Sequence, residues 1–239
     1  MNTQRIHAID LARTLALLAM AGYHFTFDLM LFGHLPPGFV FQGPWPLIAR
    51  AIASSFLFLA GVSLWLAHGQ RIRWPDFWRR FAIVAGAAGL VTTVTYFGMG
   101  FQFIRWGILH AIAAGSLIGL LFLRAPVVLT VAVAALAFTA PHLVRSEVFN
   151  APQWIWLGLS TEIPPMMDYE PLLPWLCPVL LGIATAKLMT RAGGWDRLRQ
   201  WQPGRLGRAA LWPGQHSLAI YLIHQPVLFG ALYLFTRYL

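Results

Sequence analysis

Charged side chains are scarce in this sequence. Only 10% of its 239 residues are Asp, Glu, Lys or Arg, whereas soluble domains contain about 25%. Apolar residues make up 58% of the chain, and the mean hydropathy is +0.64. A soluble protein could not hide this much apolar surface, so that class is excluded. The composition predicts an all-α polytopic transmembrane helix bundle, with residues 1–239 forming a single domain.

Cysteine is nearly absent as well. Because Cys177 is the only cysteine, the chain cannot form an internal disulfide. One thiol without a tight histidine cluster also does not make a zinc–thiolate site, so we expect no metal. The sequence has no Walker-type or dinucleotide glycine motif, no H-E-x-x-H and no G-x-S-x-G, which excludes the soluble enzymes that these motifs mark.

Negative charge is the rarer sign. The formal net charge is +9, and arginine supplies all but one of the positive side chains. In a soluble protein this excess would indicate nucleic acid as a partner. In a membrane protein, positive charge collects at the cytoplasmic ends of helices, so we expect no nucleic acid. An anionic substrate or cofactor is an alternative use of the arginines.

Apolar runs of roughly 20 residues predict the membrane-spanning helices. About seven are present, at residues 8–31, 46–69, 81–98, 107–123, 126–144, 171–190 and 215–236. The connections include a basic and aromatic segment at 71–80, a polar loop at 145–170 and a basic loop at 191–214. Most arginines lie on the inner side if the N-terminus is cytoplasmic, so the charge asymmetry predicts a cytoplasmic N-terminus and an outside C-terminus.

Four ionisable side chains interrupt the first apolar run. They are Asp10, Arg13, His24 and Asp28. An Asp or Arg at the middle of a membrane helix costs about 2.5–3.5 kcal/mol on insertion scales. At about 100° per residue, the four share one face of a straight helix, which should turn toward protein or a water-filled cavity. His24 is a candidate base, because a carboxylate such as Asp28 can fix the imidazole tautomer.

The same four side chains allow two other interpretations. In a structural knot, Asp10 pairs with Arg13 and His24 forms a hydrogen bond to a neighbouring helix. In a proton-coupled transporter, the four groups act as a relay. The spacing of the residues does not choose among these interpretations.

Other candidate residues lie farther along the chain. Ser217, Tyr221 and His224 share one helical face in the last run, where they could contact substrate or join helices. The same two roles apply to His110. The acids and aromatics Asp168, Glu170 and Trp175 lie in or beside the polar loop and suit a sugar, although interfacial aromatic belts are the commoner explanation.

Five stretches carry a family resemblance. They are IDLARTLALLAMAGYHFTFDL, SSFLFLAGVSLWLA, WGILHAIA, EPLLPWLCPVLLG and HSLAIYLIHQP. Together they resemble the heparan-α-glucosaminide N-acetyltransferase-like catalytic family, polytopic membrane proteins with small bacterial members. The resemblance implies transfer of an acetyl or acyl group from cytosolic acyl-CoA to a hydroxyl or amine of a sugar-like acceptor. It also implies a place among the lipids of a bacterial inner membrane, and it leaves homo-oligomers open.

The resemblance also implies site residues. The family's proposed active histidine falls at His34, and a family asparagine falls at His24, where this chain has histidine instead. Arg13 and His24 also match the Arg-x10-His pattern of membrane acyltransferase-3 proteins, in which the histidine is the proposed catalytic residue. The two resemblances therefore imply different catalytic histidines, with Asp28 supporting His24.

Donor and acceptor contacts are predicted from the chemistry of the residues, given the donor and acceptor that the resemblance implies. Acetyl-CoA is polyanionic at its nucleotide end, and arginine pairs phosphates bidentately. The implied donor contacts are Arg71, Arg73, Arg79 and Arg80, together with Arg13, Asp10 and His110. The implied acceptor contacts are Asp168, Glu170, Trp175, Ser217, Tyr221 and His224.

Overall fold

The computed structural model describes residues 5–163 and 165–238. Within these residues the regular structure consists of α-helices and short 3-10 helices. The α-helices are α1 (His7–Leu31), α2 (Trp45–His68), α3 (Trp74–Met99), α4 (Ile108–Phe122), α5 (Val127–Leu143), α6 (Leu172–Arg191), α7 (Gly194–Gln200), α8 (Arg205–Gln215) and α9 (Ser217–Tyr238). Each predicted apolar run overlaps one of these helices, which confirms the all-helical class.

Helix length separates two groups among these elements. Five helices, α1, α2, α3, α6 and α9, are long and apolar enough to cross a membrane. Helices α4 and α5 are apolar but have 15 and 17 residues. A helix of 17 residues is about 26 Å long, against a hydrocarbon core of about 30 Å. The number of spans and the orientation of the termini stay predictions.

Two connections are more regular than the sequence predicted. Helix α3 begins at Trp74, inside the basic and aromatic segment, because Pro75 is pre-set for a first turn and Asp76 suits its dipole. The prediction of a loop over 191–214 is wrong, since α7 and α8 form there. Helix α8 is amphipathic and buries Leu211 and Gly214. The sequence did not predict it, because its arginines and glycines interrupt any continuous apolar run.

The helices group into two compact units. Unit 1 comprises the residues up to Phe56 and those from Gly193 onward, and unit 2 comprises Leu57–Ala192. Each is described by itself below. The prediction of one domain over 1–239 stays a prediction.

In unit 1, α8 and α9 follow α1 in the same direction. Contacts at Thr14–Gly214 and His24–His224 join residues 200 positions apart, and the His34–Thr236 contact spans 202. A helix pair with a constant positive offset is parallel. Gly214 allows the close approach, because a Cβ there would collide with the Asp10 carbonyl.

In unit 2, α6 lies in the core. Leu180, Ile183 and Ala186 on this helix are fully buried. Glycines bring α2 and α6 together, because a Cβ at Gly61 would meet the Val179 carbonyl. Lys187, also on α6, donates hydrogen bonds to the carbonyls of Phe122 and Ala125 and so holds the turn between α4 and α5.

Candidate functional site

A pair of histidines joins α1 to α9 in unit 1. His24 Nδ1 and His224 Nε2 are 3.0 Å apart, and His224 Nδ1 is 2.5 Å from the Tyr221 carbonyl oxygen. A carbonyl oxygen only accepts, so the proton of His224 is on Nδ1. With both rings neutral, His224 Nε2 accepts and His24 Nδ1 donates. The lone pair of His24 is therefore on Nε2, as a proton acceptor requires.

Asp28 lies one turn beyond His24, but its contact is with a different residue. Gln225 Nε2 donates to Asp28 Oδ1 at 2.8 Å, and Asp28 is fully buried. The structure thus gives His24 a histidine partner, where the sequence suggested Asp28. No local signal in the sequence marks Gln225 as a partner of α1, because 197 positions separate the two residues.

The other charges of α1 form a cluster near its start. The Asp10 side chain is buried. Its carboxylate accepts from Arg5 Nε at 2.5 Å and from Arg13 Nη1 at 3.0 Å. Thr14 Oγ1 donates to the Asp10 carbonyl and accepts from the Gly214 amide. Asp10 therefore fixes the position of Arg13. Both contacts expected of a structural knot, Asp10 to Arg13 and His24 to another helix, are present, so the contacts alone do not decide the function.

His34 is placed away from the histidine pair. It is exposed, follows the end of α1, and lies with Nε2 3.0 Å from Thr236 Oγ1. Seven residues of α1, about 10 Å, separate His24 from the end of that helix at Leu31. The structure therefore keeps the two candidate histidines apart. Ser217 lies in the first turn of α9, two turns before His224.

In unit 2, the basic segment adjoins a small cavity between α2, α3 and α4. The cavity measures about 20 Å³, room for about one water. Its polar lining comes from Ser63, His68, Arg80 and Ser116. Arg71 and Arg79 are exposed, and Arg73 forms an exposed pair with Asp76 at 3.3 Å.

His68 is a residue that sequence reasoning missed. Its side chain is 4% exposed, and its Nδ1 accepts from the Arg73 amide at 3.3 Å. Its position in the sequence could have indicated it, because His68 lies at the end of an apolar run and shortly before the basic segment. The structure brings together His68 and Arg80 at the cavity, but not His110.

His110 lies instead at the start of α4, with Asp168. Its Nδ1 accepts from the Gly107 amide, and its Nε2 lies 3.3 Å from Thr92 Oγ1. Asp168 Oδ2 accepts from the Ile108 amide at 3.0 Å, which caps the same helix. Burial raises the pKa of Asp168 to about 6, although the hydrogen bond from Ile108 opposes that rise. A predicted donor residue and a predicted acceptor residue thus meet at one helix end.

The remaining candidates of unit 2, Glu170 and Trp175, follow Asp168 within a few residues. The Glu170 amide donates to the Trp106 carbonyl, and Trp175 lies in the first turns of α6.

Among the described residues, no group of three or more His, Cys, Asp or Glu side chains could hold a metal ion.

One family comparison identifies the chain. The model for the catalytic region of heparan-alpha-glucosaminide N-acetyltransferase matches residues 5–226. The chain belongs to this family. No curated protein and no solved structure matches it significantly. Membership in the heparan-alpha-glucosaminide N-acetyltransferase family implies a membrane acetyltransferase, and acetyl-CoA is the general donor of the family.

The extent of the match bears on the two histidines. The matched residues include both members of the His24–His224 contact and both members of the Asp28–Gln225 contact. They include His34 but not Thr236, its hydrogen-bond partner. The family model therefore covers the whole α1–α9 polar contact, and only part of the surroundings of His34.

Proposed function

We propose that the protein transfers an acetyl group from acetyl-CoA to a hydroxyl or amine of a sugar-like acceptor, with His24 as the base. The family match supports acetyl transfer. The observation that carries the role of His24 is the hydrogen-bond chain from the Tyr221 carbonyl through His224 to His24, which leaves a lone pair on His24 Nε2. A proton-coupled transporter is not favoured by the family.

The proposed reaction is a direct transfer. His24 Nε2 takes the proton of the acceptor O–H or N–H while the oxygen or nitrogen attacks the thioester carbonyl. The tetrahedral oxyanion then collapses and expels the CoA thiolate, which takes the proton back from His24. As His24 becomes cationic, its Nδ1–H bond to His224 becomes charge-assisted and so stronger. This gain arises only when the base is protonated, which favours catalysis.

The donor contacts belong to the basic segment. We propose that Arg71, Arg73, Arg79 and Arg80 hold the CoA phosphates, with His68 beside Arg80. The support is the charge of the segment and the exposure of its arginines. Arg13 contributes positive charge near the start of α1, where Asp10 fixes it. Glu170 and Trp175 remain proposed acceptor contacts, whereas Asp168 and His110 cap α4.

The parallel course of α1 and α9 supports the proposed topology. If both cross the membrane, their first residues lie on the same side, and the chain crosses an odd number of times. Seven spans, a cytoplasmic N-terminus and an outside C-terminus meet this condition. The arginine distribution fits an inner-membrane protein of that orientation.

Acetyl-CoA turnover tests the proposal. Purified protein in detergent receives acetyl-CoA and amine- or hydroxyl-bearing sugars, while CoA thiol release and acetylated product are measured. We expect acceptor-dependent turnover, with KM for acetyl-CoA raised about tenfold in Arg80→Ala, the effect of about 1.4 kcal/mol. Arg237→Ala, at the end of α9, is the matched control. Absence of turnover, with proton-coupled solute uptake in liposomes, would favour the transporter.

A further inference from the structure

The Asp28 and Gln225 side chains form an isolated polar contact between α1 and α9. We propose that Asp28 is a neutral carboxylic acid, bound to Gln225 by two hydrogen bonds in a cyclic acid–amide pair. Gln225 is then the positioning residue that retains the proton on Asp28. The consequence for catalysis rests on the proposed role of His24, but the protonation state does not.

The hydrogen-bond inventory of the pair supports a proton between the two side chains. Gln225 Nε2 donates to Asp28 Oδ1 at 2.8 Å. The other two polar atoms, Asp28 Oδ2 and Gln225 Oε1, are shielded from solvent and have no hydrogen-bond partner among the described residues. Both atoms are acceptors if Asp28 is ionised. A proton on Oδ2 supplies the missing donor, and Oδ2–H to Oε1 closes the second bond.

The orientation of the amide does not change this result. Nitrogen and oxygen of a glutamine side chain are assigned from their hydrogen bonds. If the two were exchanged, the oxygen would face Asp28 Oδ1 instead, and the proton would move to Oδ1. In either orientation an ionised Asp28 leaves one amide oxygen and one carboxylate oxygen without a donor.

Among the residues that the structure describes, no cation pairs with Asp28 in place of the proton. Asp28 is fully buried, and none of the ion pairs formed by the described residues includes it. Arg13 lies 15 residues earlier on α1, about 22 Å away. The titratable groups near Asp28 on the two helices are Tyr23 and His24 on α1 and Tyr221 and His224 on α9. Tyrosine carries no positive charge in either protonation state, and both histidines were taken as neutral in the hydrogen-bond arrangement described above. A buried, unpaired carboxylate is strongly unfavourable.

This state changes what Asp28 can do for His24. A neutral acid provides no negative charge to raise the basicity of an imidazole. It instead joins α1 to α9 one turn from His24, and this fixes the position of His224 at 3.0 Å from the His24 ring. The base unit is then a pair of histidines, and Asp28 acts through helix position.

Infrared spectroscopy tests the protonation state without any need for activity. The difference spectrum between the protein and Asp28→Asn is recorded from about pH 5 to about pH 9, a range in which an ordinary aspartate is ionised. We expect the carbonyl band of a protonated carboxyl group throughout, and a shift to higher frequency in Gln225→Ala, which removes the hydrogen bonds. A carboxylate band in place of the acid band would overturn the proposal.

Enzyme kinetics test the positioning role separately. An asparagine at 28 can keep both hydrogen bonds, because its N–H donates to Gln225 Oε1 and its oxygen accepts from Gln225 Nε2. We expect Asp28→Asn to retain kcat and its pH profile, while Asp28→Ala loses kcat. A loss of kcat in Asp28→Asn approaching 10⁴-fold, as for a triad aspartate that orients a histidine, would overturn the positioning role. If neither the wild type nor any variant is active, the proposed function fails, but the infrared result on the protonation state still stands.

Discussion

The two ring nitrogens of each histidine determine what that histidine can do. His110 accepts with Nδ1 from Gly107 and donates with Nε2 to Thr92 Oγ1, whose own hydrogen goes to the Ile104 carbonyl. Both nitrogens of His110 are therefore engaged in structure. His24 donates from Nδ1 and retains a lone pair on Nε2. This difference supports the proposed role of His24 in proton transfer, whereas the contacts of His110 are those of a helix cap.

The buried Asp168 side chain predicts that the stability of the protein depends on pH. Its pKa is raised from 3.8 to about 6 by burial, so the folded state favours the protonated acid. The stabilising contribution is complete below about pH 4 and disappears as the pH rises through about 6. We expect the melting temperature to fall over this interval in the wild type, relative to Asp168→Asn. Thermal unfolding in detergent at a series of pH values measures it. Parallel curves for the two proteins would contradict the raised pKa.

Several single residues could be predicted from the sequence, as could the contact of Asp10 with Arg13, but the partners of His24 and Asp28 could not. Asp10, Arg13, His24 and Asp28 stand out because ionisable groups are costly in an apolar run. The partners of His24 and Asp28 are about 200 positions away, and periodicity within one helix contains no information about such a contact. Gln225 carries no charge, so the cost of a buried charge does not mark it in the sequence.

At the scale of elements, glycines set how closely helices approach in unit 2. A Cβ at Gly61 would collide with the Val179 carbonyl, and a Cβ at Gly182 would collide with the Phe58 carbonyl. Backbone atoms cannot move aside as a flexible side chain can. The contact between α2 and α6 therefore depends on these two glycines.

Alanine substitution tests this dependence. We expect Gly61→Ala to lower the free energy of unfolding by about 1–3 kcal/mol, the usual effect of overpacking. Gly86→Ala in α3 is the control, because no described atom beyond its chain neighbours and the backbone of its own helix lies within 4 Å of the added methyl group. It should leave stability unchanged or raise it by up to about 1 kcal/mol through helix propensity. Thermal unfolding measures both, and equal effects would contradict the close contact.

Elements differ in how well the sequence predicts them. Apolar runs with glycine or proline at their ends locate α1 to α6 and α9 within a few residues, apart from the earlier start of α3. Helices α7 and α8 were not predicted, because short helices rich in arginine lack a continuous apolar run. The pairing of α8 and α9 with α1 was also outside the reach of sequence patterns, since it depends on long-range packing.

At the scale of the whole molecule, family and charge agree on the class of protein. The family match implies a membrane acetyltransferase, and a net charge of +9 from arginine fits both a cytoplasmic face and an anionic donor. The sequence motifs predicted the family, which the match confirms. The proposal of His24 over His34 rests on the hydrogen-bond chain of unit 1, because the two resemblances imply different residues.

The rate of acetyl transfer by histidine variants tests the central claim most directly. The turnover number is measured with acetyl-CoA and acceptor for His24→Ala and His34→Ala, with the exposed His216→Ala as control. We predict a fall of about 100- to 10,000-fold in kcat for His24→Ala, the usual contribution of a general base, and values near wild type for the other two. Wild-type kcat in His24→Ala, or a loss of activity confined to His34→Ala, would contradict the account.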